Sequence, residues 1–209
     1  MELQGKRVLI TGGTSGIGLA PAKALIAKGA KVFITGRRHD RLVTALEKLR
    51  ASGGRAEGLT ADVATEQGRK FTLGGCIDAL GGLDLLINNA GGVRAGRLQD
   101  TTEAEIAAMV TVDLLAPILL TRSALPQPRD GGGMVVNITS AIALIGMPFY
   151  ATYAAVKAGL AHFGEAMRRE LSGCPCPDGL SRRDRHTHDA ILEGRPRTRR
   201  RQGGGIRCG

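Results

Sequence analysis

The stretch Thr11-Gly12-Gly13-Thr14-Ser15-Gly16-Ile17-Gly18 decides the fold of this chain. An apolar, β-branched run at residues 8–11 leads into it, and an amphipathic run follows at residues 17–28. Glycines between a strand and a helix let the backbone approach a pyrophosphate, which the N–H groups and dipole of the helix N-terminus stabilise. A tight turn that serves packing alone is the alternative. The flanking strand and helix, and a second strand from Lys31, favour a dinucleotide-binding turn.

Residues 1–172 continue this alternation of short apolar runs and longer amphipathic runs. The pattern predicts an α/β protein with a Rossmann-type, doubly wound parallel sheet and helices on both faces. A chain of 209 residues is long enough to bury one such core. The predicted strands cover residues 8–11, 31–35, 56–59, 83–88 and 134–138, and the predicted helices cover residues 17–28, 40–51, 65–80, 102–125 and 150–171.

The positive charge is concentrated at the C-terminal end of the chain. Residues 173–209 contribute +5 of the formal net charge of +10, because nine arginines there outnumber four acidic residues. These residues include no aromatic side chain and show no apolar period of 2 or 3.6. We therefore predict a nucleotide-binding domain over residues 1–172 and a basic, disordered tail over residues 173–209, where the last strands of the sheet are missing.

The second predicted strand ends at Thr35-Gly36-Arg37-Arg38. An acidic residue at this position would bind the ribose 2′-hydroxyl of NAD, whereas a guanidinium group binds a phosphate. Arg37 and Arg38 therefore favour NADP over NAD. The alternative is that both arginines are solvated charges at the start of a helix.

Tyr153-Ala154-Ala155-Val156-Lys157 places a phenol and an ammonium group on one face of the last predicted helix. A phenol is a weak acid at neutral pH, and a neighbouring cation stabilises the phenolate that proton transfer requires. Of the two tyrosines, Tyr150 has Ala154 four residues later, so only Tyr153 has such a lysine. A packing tyrosine beside a solvated lysine is the alternative when the spacing is taken alone.

Two polar motifs, Asn88-Asn89-Ala90-Gly91 and Asn137-Ile138-Thr139-Ser140, close the fourth and fifth predicted strands, where open α/β sheets bind ligands. With these motifs, residues 5–172 resemble the short-chain dehydrogenase/reductase family. The glycine stretch matches the family's T-G-x-x-x-G-x-G, and the first polar motif matches its N-N-A-G. Ser140, thirteen residues before Tyr153, matches the catalytic serine, and Tyr153 with Lys157 matches Y-x-x-x-K.

The resemblance implies hydride transfer between a nicotinamide cofactor and an alcohol or carbonyl substrate. It also implies that Tyr153 is the acid or base, that Lys157 orients the ribose and tunes the phenol, and that Ser140 polarises the carbonyl. Asp62 and Val63 resemble the position that contacts adenine. The predicted cofactor-binding residues are Gly12, Thr14, Ser15, Gly16, Ile17, Gly18, Arg37, Arg38, Asp62, Val63, Asn89, Ala90, Gly91, Tyr153 and Lys157.

The chain departs from the family in the predicted helix at residues 102–125. The family usually has an asparagine there that anchors a water of the proton relay, and this chain has Asp113 in Thr111-Val112-Asp113-Leu114. A carboxylate can also hold water, but its charge would alter the relay. A tolerated replacement with a modest effect is the alternative. Asp113 is therefore a fourth catalytic candidate.

The resemblance ends near Ser172. The family continues with a sixth strand, a Pro-Gly segment at the nicotinamide, a covering helix and a seventh strand, none of which is legible in residues 173–209. Codons compatible with residues 173–190, read one base later, admit G-V-R-V-L-T-V-Y-P-G-A-T-D-T-P-M-M, which resembles that strand and segment. The sequence thus predicts a frameshift; a gene sequence that is in frame across the Ser172 codon, with no alternative frame continuing, would contradict it.

Two other classes of function stay open at this stage. One is a catalytically impaired nucleotide binder of the same family, which would bind cofactor without turnover. The other is a nucleic-acid-binding protein that uses the arginine-rich tail, although charge runs are more often only solvated. Deletion of residues 173–209 would abolish nucleic-acid binding in the second case.

The remaining expectations concern the setting of the protein. The N-terminus lacks the order of a signal peptide, and no uninterrupted apolar run approaches the roughly 20 residues of a membrane span. We expect a cytoplasmic protein without a membrane partner. The resemblance implies a homodimer or homotetramer packed through the helices at 102–125 and 150–171. We expect reduced thiols and no metal, because the cysteines suit neither a disulfide framework nor a metal site: Cys76, Cys174, Cys176 and Cys208.

Overall fold

The computed structural model describes residues 2–125 and 133–171. The chain divides into two compact units, Met1–Met167 and Arg168–Gly209, and of the second unit only the end of the last helix is described. The predicted tail, its missing strands and its frameshift lie outside the described residues. The described strands are β1 (Arg7–Thr11), β2 (Lys31–Gly36), β3 (Ala56–Thr60), β4 (Leu85–Asn88) and β5 (Met134–Asn137). The described helices are α1 (Gly16–Ala27), α2 (His39–Arg50), α3 (Glu66–Leu80), α4 (Glu103–Val110), α5 (Ala116–Ala124) and α6 (Ala151–Leu171).

The described strands form one parallel sheet in the order β3-β2-β1-β4-β5. The order reverses at β1, so the crevice between the connections of β1 and β4 lies at the carboxyl edge of the sheet. This is where doubly wound sheets bind ligands. The predicted fold class is confirmed for this part of the chain.

Each face of the sheet buries its own apolar cluster because side chains alternate along a strand. Within β1, Val8 and Ile10 belong to a cluster with α1 and α2 residues, whereas Leu9 belongs to a cluster with α3 and α5 residues. The strands are apolar almost throughout, as expected when helices cover both faces. This packing holds the carboxyl ends of the strands in fixed relative positions.

The predicted helix at residues 102–125 is confirmed as the helical segment Glu103–Ala124, within which the structure distinguishes α4 and α5. A π-helical turn, Thr111–Leu115, joins them and contains Asp113. Thr102 and Glu105 form a reciprocal capping box at the start of α4, which explains why the helix begins where the sequence predicted. A π turn inserts one residue and hardly changes the apolar period, so the sequence pattern did not reveal it. Such turns often lie at functional sites.

The segment Glu103–Ala124, which includes α4 and α5, is 22 residues long and has a mean hydropathy of 1.8. By length and composition alone, this helical segment is apolar enough to cross a membrane. In the structure a third of its apolar window is buried, and α5 packs against β4 and α3. Ala116, Leu120 and Ala124 of α5 belong to the buried apolar cluster on this face of the sheet, so the apolar character of α5 serves the core of the fold.

A buried ion pair lies at the other end of the sheet, before β4. The Arg7 guanidinium donates to both carboxylate oxygens of Asp84 at 2.9 and 2.8 Å, and the Arg7 backbone N–H also donates to Asp84 at 2.9 Å. Asp84 is only 4% exposed. These hydrogen bonds hold the pKa of the Asp84 carboxyl below its usual range. β4 begins at Leu85 and not at the predicted residue 83, because Asp84 is used in this pairing.

We expect Asp84→Ala to lower the free energy of unfolding by about 1–3 kcal/mol, because it removes the buried acceptor of three hydrogen bonds from the part-buried Arg7. The pKa of Asp84 is lowered in the folded state, so the pair stabilises the fold above the ordinary carboxyl pKa of about 3.9. This contribution is lost as the pH falls through the lowered value. Urea unfolding from neutral to acidic pH measures both effects.

The control is Glu57→Ala, which removes an exposed pair with Arg50 whose nitrogen and oxygen lie 3.0 Å apart. Exposed pairs contribute less than about 1 kcal/mol, so this variant should unfold nearly as the parent does. Equal losses in the two variants, or an Asp84→Ala loss that is unchanged at acidic pH, would contradict the assignment.

Candidate active site

The site begins with a set of hydrogen bonds that ties the loop after β1 to the loop after β4. The Asn89 side-chain amide donates to the backbone oxygens of Thr11 and Gly12 at 2.9 and 3.0 Å. The buried Thr11 hydroxyl accepts from the backbone N–H groups of Asn89 and Ala90 at 3.1 and 3.0 Å. The glycine stretch and the Asn88-to-Gly91 motif therefore form one rigid structure.

The glycines are required by this close approach. A Cβ on Gly12 would lie 2.9 Å from the Cα of Ala90, and the Gly12 φ of +66° disfavours a side chain. A Cβ on Gly18 would overlap the Asn89 amide. Gly16, with a φ of +50°, instead faces open space at the N-terminus of α1. The backbone at Gly16 is thus accessible to an anion at a helix N-terminus.

Three arginines at the end of β2 lie near the glycine stretch at residues 11–18, which we call the glycine cradle. Arg37 and Arg38 precede α2 and are exposed, and Arg41 lies in its first turn. All three line the same cleft as the glycine stretch. Arg41 was not among the residues predicted from the sequence, although its position three residues after Arg38, at the start of a predicted helix, was a usable signal.

A cleft with a volume of about 920 Å³ runs along the carboxyl edge of the sheet, within the size range of cofactor sites. It is lined by all the predicted cofactor-binding residues and by Asp113. Ser140 is not in its lining, but the preceding Thr139 is. Residues that the sequence analysis did not single out also line it, including Arg41, Gly92, Val93, Arg94, Glu105, Met109 and Val112.

Lys157 lies at the buried end of this cleft and is 4% exposed. Its Nζ donates to the backbone oxygen of Ile138 at 3.1 Å and lies 5.8 Å from the centre of the Tyr153 ring. The spacing of the two residues on α6 therefore brings phenol and ammonium together, as the sequence predicted. Tyr153 itself is partly exposed at the cleft, where it can reach a ligand.

Asp113 pairs directly with Lys157. Its Oδ1 lies 3.0 Å from the Lys157 Nζ, and the Asp113 and Lys157 side chains are 1% and 6% exposed. The Gly92 backbone N–H donates to both carboxylate oxygens, at 3.3 and 3.1 Å. The sequence predicts a helix at Asp113, but the pairing with Lys157, 44 residues further along the chain, follows only from the tertiary structure.

Ser140 caps the short 3₁₀ turn Ala141–Ala143. Its Oγ accepts a hydrogen bond from the Ile142 N–H at 3.4 Å, and the residue is half-buried. A hydroxyl that accepts from a backbone N–H still has its own proton to donate. Ser140 therefore lies beside the cleft with a donor available, while Thr139 lines it.

Arg94 and Glu105 form an ion pair at the outer wall of the cleft, with 2.8 Å between nitrogen and oxygen. Glu105 also accepts from the Thr102 N–H at 3.0 Å. The hydrogen bonds from Thr102 and the charge of Arg94 hold the pKa of the Glu105 carboxyl below its usual range. This pair joins the loop after β4 to the start of α4.

Asp62 lies at the other end of the cleft, in the loop after β3. Its Oδ1 accepts from the Ala64 N–H at 3.0 Å, which fixes the loop, and Val63 is buried beside it.

The described residues include one cysteine, Cys76, which is a free thiol. Burial raises the pKa of Cys76 to about 12, so it belongs to the core and not to the chemistry of the site. Residues 2–125 and 133–171 contain no cluster of three metal-ligating side chains.

The fold and the cleft define a doubly wound α/β protein with a cleft at the strand switch point, where such sheets bind nucleotides. Residues 6–174 match the short chain dehydrogenase family, and the chain belongs to that family. The match ends close to the predicted boundary near Ser172.

Relatives and solved structures agree with this assignment. A short chain dehydrogenase of Pseudocercospora fijiensis is 38% identical over 175 residues, which cover 82% of this chain and 57% of the relative. A ketoacyl reductase of Nostoc sp. is 37% identical, over 82% of this chain and 60% of the relative. The crystal structure of a Burkholderia cenocepacia short chain dehydrogenase in complex with NADP superposes with a TM-score of 0.77 at 37% identity, over 83% of this chain and 71% of that chain. The chain thus spans about three fifths of the length of these curated relatives.

Gly91 provides a test of the geometry around Asp113. A Cβ on Gly91 would overlap the Asp113 Oδ1 that pairs with Lys157, whereas a Cβ on Gly92 would meet open space. We expect Gly91→Ala to lower the free energy of unfolding by about 1–3 kcal/mol through overpacking. Gly92→Ala, the adjacent control, should change it by less than about 0.5 kcal/mol. Urea unfolding measures both, and equal effects would contradict this packing.

Proposed function

We propose that this chain is an NADP-dependent oxidoreductase that transfers a hydride between the nicotinamide and an alcohol or carbonyl substrate. The observation that carries the proposal is the single cleft that joins the glycine cradle to Tyr153 and Lys157. Family membership supports the reaction class. The NADP bound in the Burkholderia cenocepacia structure supports the cofactor.

The residues present fit a dinucleotide with a 2′-phosphate. The open backbone at Gly16 and the N-terminus of α1 suit a pyrophosphate. Arg37, Arg38 and Arg41 offer guanidinium groups to the 2′-phosphate at the end of β2, where NAD enzymes use a carboxylate. Asp62 and Val63 would bound the adenine, and Asn89 to Gly91 would line the path to the nicotinamide.

In the proposed reduction, a bound NADPH would supply the hydride that adds to the carbonyl carbon. Tyr153 donates its phenolic proton to the carbonyl oxygen, so that the product is an alcohol and the enzyme is left as phenolate. Lys157 stabilises that phenolate and orients the ribose. The Ser140 hydroxyl donates to the same carbonyl oxygen and polarises it. Oxidation of an alcohol reverses each step.

A catalytically impaired nucleotide binder is the second candidate. The observation that favours it is the site itself, because Ser140 does not line the cleft and the Lys157 ammonium group is already paired with Asp113. Such a protein would bind NADPH and show no turnover with any carbonyl substrate. The two experiments below separate the candidates, because the first reads binding and the second reads turnover.

We expect the full chain to bind NADPH more tightly than NADH in a fluorescence titration. Arg37→Ala should weaken NADPH binding by about tenfold, the value of one charge-assisted hydrogen bond, and leave NADH binding nearly unchanged. Arg122→Ala on the exposed side of α5 is the matched control and should alter neither. A loss that is equal for the two cofactors would refute a 2′-phosphate site at Arg37.

We expect NADPH oxidation with a panel of aldehydes and ketones, and its loss by at least about 100-fold in Tyr153→Phe, the usual contribution of a positioned acid. NADPH binding should survive this change. Tyr150→Phe is the control, because Tyr150 has no lysine one turn later, and it should keep the parent activity. Cofactor binding without turnover in the parent chain would favour the second candidate.

A further inference from the structure

The Asp113–Lys157 pair lies among groups of mixed charge in the cleft, and the Lys157 Nζ lies 5.8 Å from the centre of the Tyr153 ring. Lys157 is surrounded by the Asp113 carboxylate from the π turn, the Ile138 carbonyl after β5 and the Tyr153 ring on its own helix. The Asp113 carboxylate accepts a hydrogen bond from the backbone N–H of Gly92, in the loop after β4. The other charged side chains that line the cleft are Arg37, Arg38, Arg41, Asp62, Arg94 and Glu105, of which the last two pair with each other.

Both charges of the pair are withdrawn from water. A carboxylate 3.0 Å from an ammonium group, with side chains that are 1% and 6% exposed, is weakly screened. The electrostatic field at the Tyr153 phenol therefore comes from the Lys157 ammonium group together with the Asp113 carboxylate, and not from a lone ammonium group. A lone cation strongly favours phenolate, whereas a neutralised one favours it much less.

We propose that Asp113 is a positioning residue that fixes the Lys157 ammonium group and cancels part of its charge, so that Lys157 stabilises a Tyr153 phenolate less than a lone ammonium group would. Fixation follows from the geometry, because the Nζ is held between Asp113 and the Ile138 oxygen. Charge cancellation follows from the burial of both partners. Since carbonyl reduction consumes a phenolic proton, the pair suits the site to reduction at neutral and alkaline pH; this last step rests on the proposed function.

A tyrosine titration of the chain without cofactor tests the charge effect directly. The chain has two tyrosines and no tryptophan, so Tyr150→Phe leaves Tyr153 as the one phenol whose ultraviolet absorbance reports ionisation. In this background Asp113→Asn keeps the size of the side chain and removes its charge. We expect the pH of half-ionisation to fall by about one unit, a tenfold change in the phenolate ratio.

The matched control is Asp78→Asn on the exposed side of α3, which changes the net charge equally and should shift the half-ionisation pH by less than about 0.2 units. Circular dichroism at each pH confirms that the fold is intact. If Asp113→Asn does not fold, Asp113→Ser removes the same charge with a smaller side chain. A half-ionisation pH that stays within about 0.3 units of the parent, or rises, in a folded variant overturns the proposal.

The pH dependence of turnover is the second readout. In Asp113→Asn the alkaline limit of carbonyl reduction should move to lower pH, with kcat affected more than KM, because the change acts on proton donation. A uniform loss at all pH values would indicate a merely structural role and overturn the assignment. A parent chain that lacks turnover contradicts the proposed function instead, and the titration still decides the charge effect.

Discussion

The arrangement of the site depends on the bonds between Thr11 and Asn89. Parallel pairing of β1 with β4 brings the ends of the two strands together, and the Thr11 hydroxyl and the Asn89 amide then join the loops that follow. Without this junction the glycine stretch would have no fixed wall opposite it. The glycines are needed because the two backbones approach too closely for side chains.

The same motif connects the sheet to the other half of the site. The Asn88 side chain donates to Asn137 at 2.9 Å and to Thr121 at 3.2 Å, which ties β4 to β5 and α5. The end of β5 in turn supplies the Ile138 oxygen that receives Lys157. The glycine stretch and the Tyr153–Lys157 pair are therefore positioned by consecutive asparagines at the end of one strand.

Two buried ion pairs lie at opposite ends of the sheet and serve different purposes. Arg7 and Asp84 satisfy each other with several hydrogen bonds outside the cleft, so their role is in folding. Asp113 and Lys157 lie in the cleft wall beside the Tyr153 ring, and perturbed buried charges of this kind are typical of functional sites. The π turn that presents Asp113 breaks a helix which would otherwise be continuous, and this local irregularity is consistent with a functional position.

The sequence by itself determined the features that depend on neighbouring residues. The glycine turn before α1 and the shared face of Tyr153 and Lys157 follow from short-range backbone geometry, so both could be predicted. Only the tertiary structure decided that Asp113 meets Lys157 and that Ser140 caps a turn beside the cleft while Thr139 lines it. Asp113 and Lys157 lie far apart in the chain, so strand order and helix packing determine whether they meet. The position of Ser140 depends on the path of the loop after β5, which short-range patterns do not define.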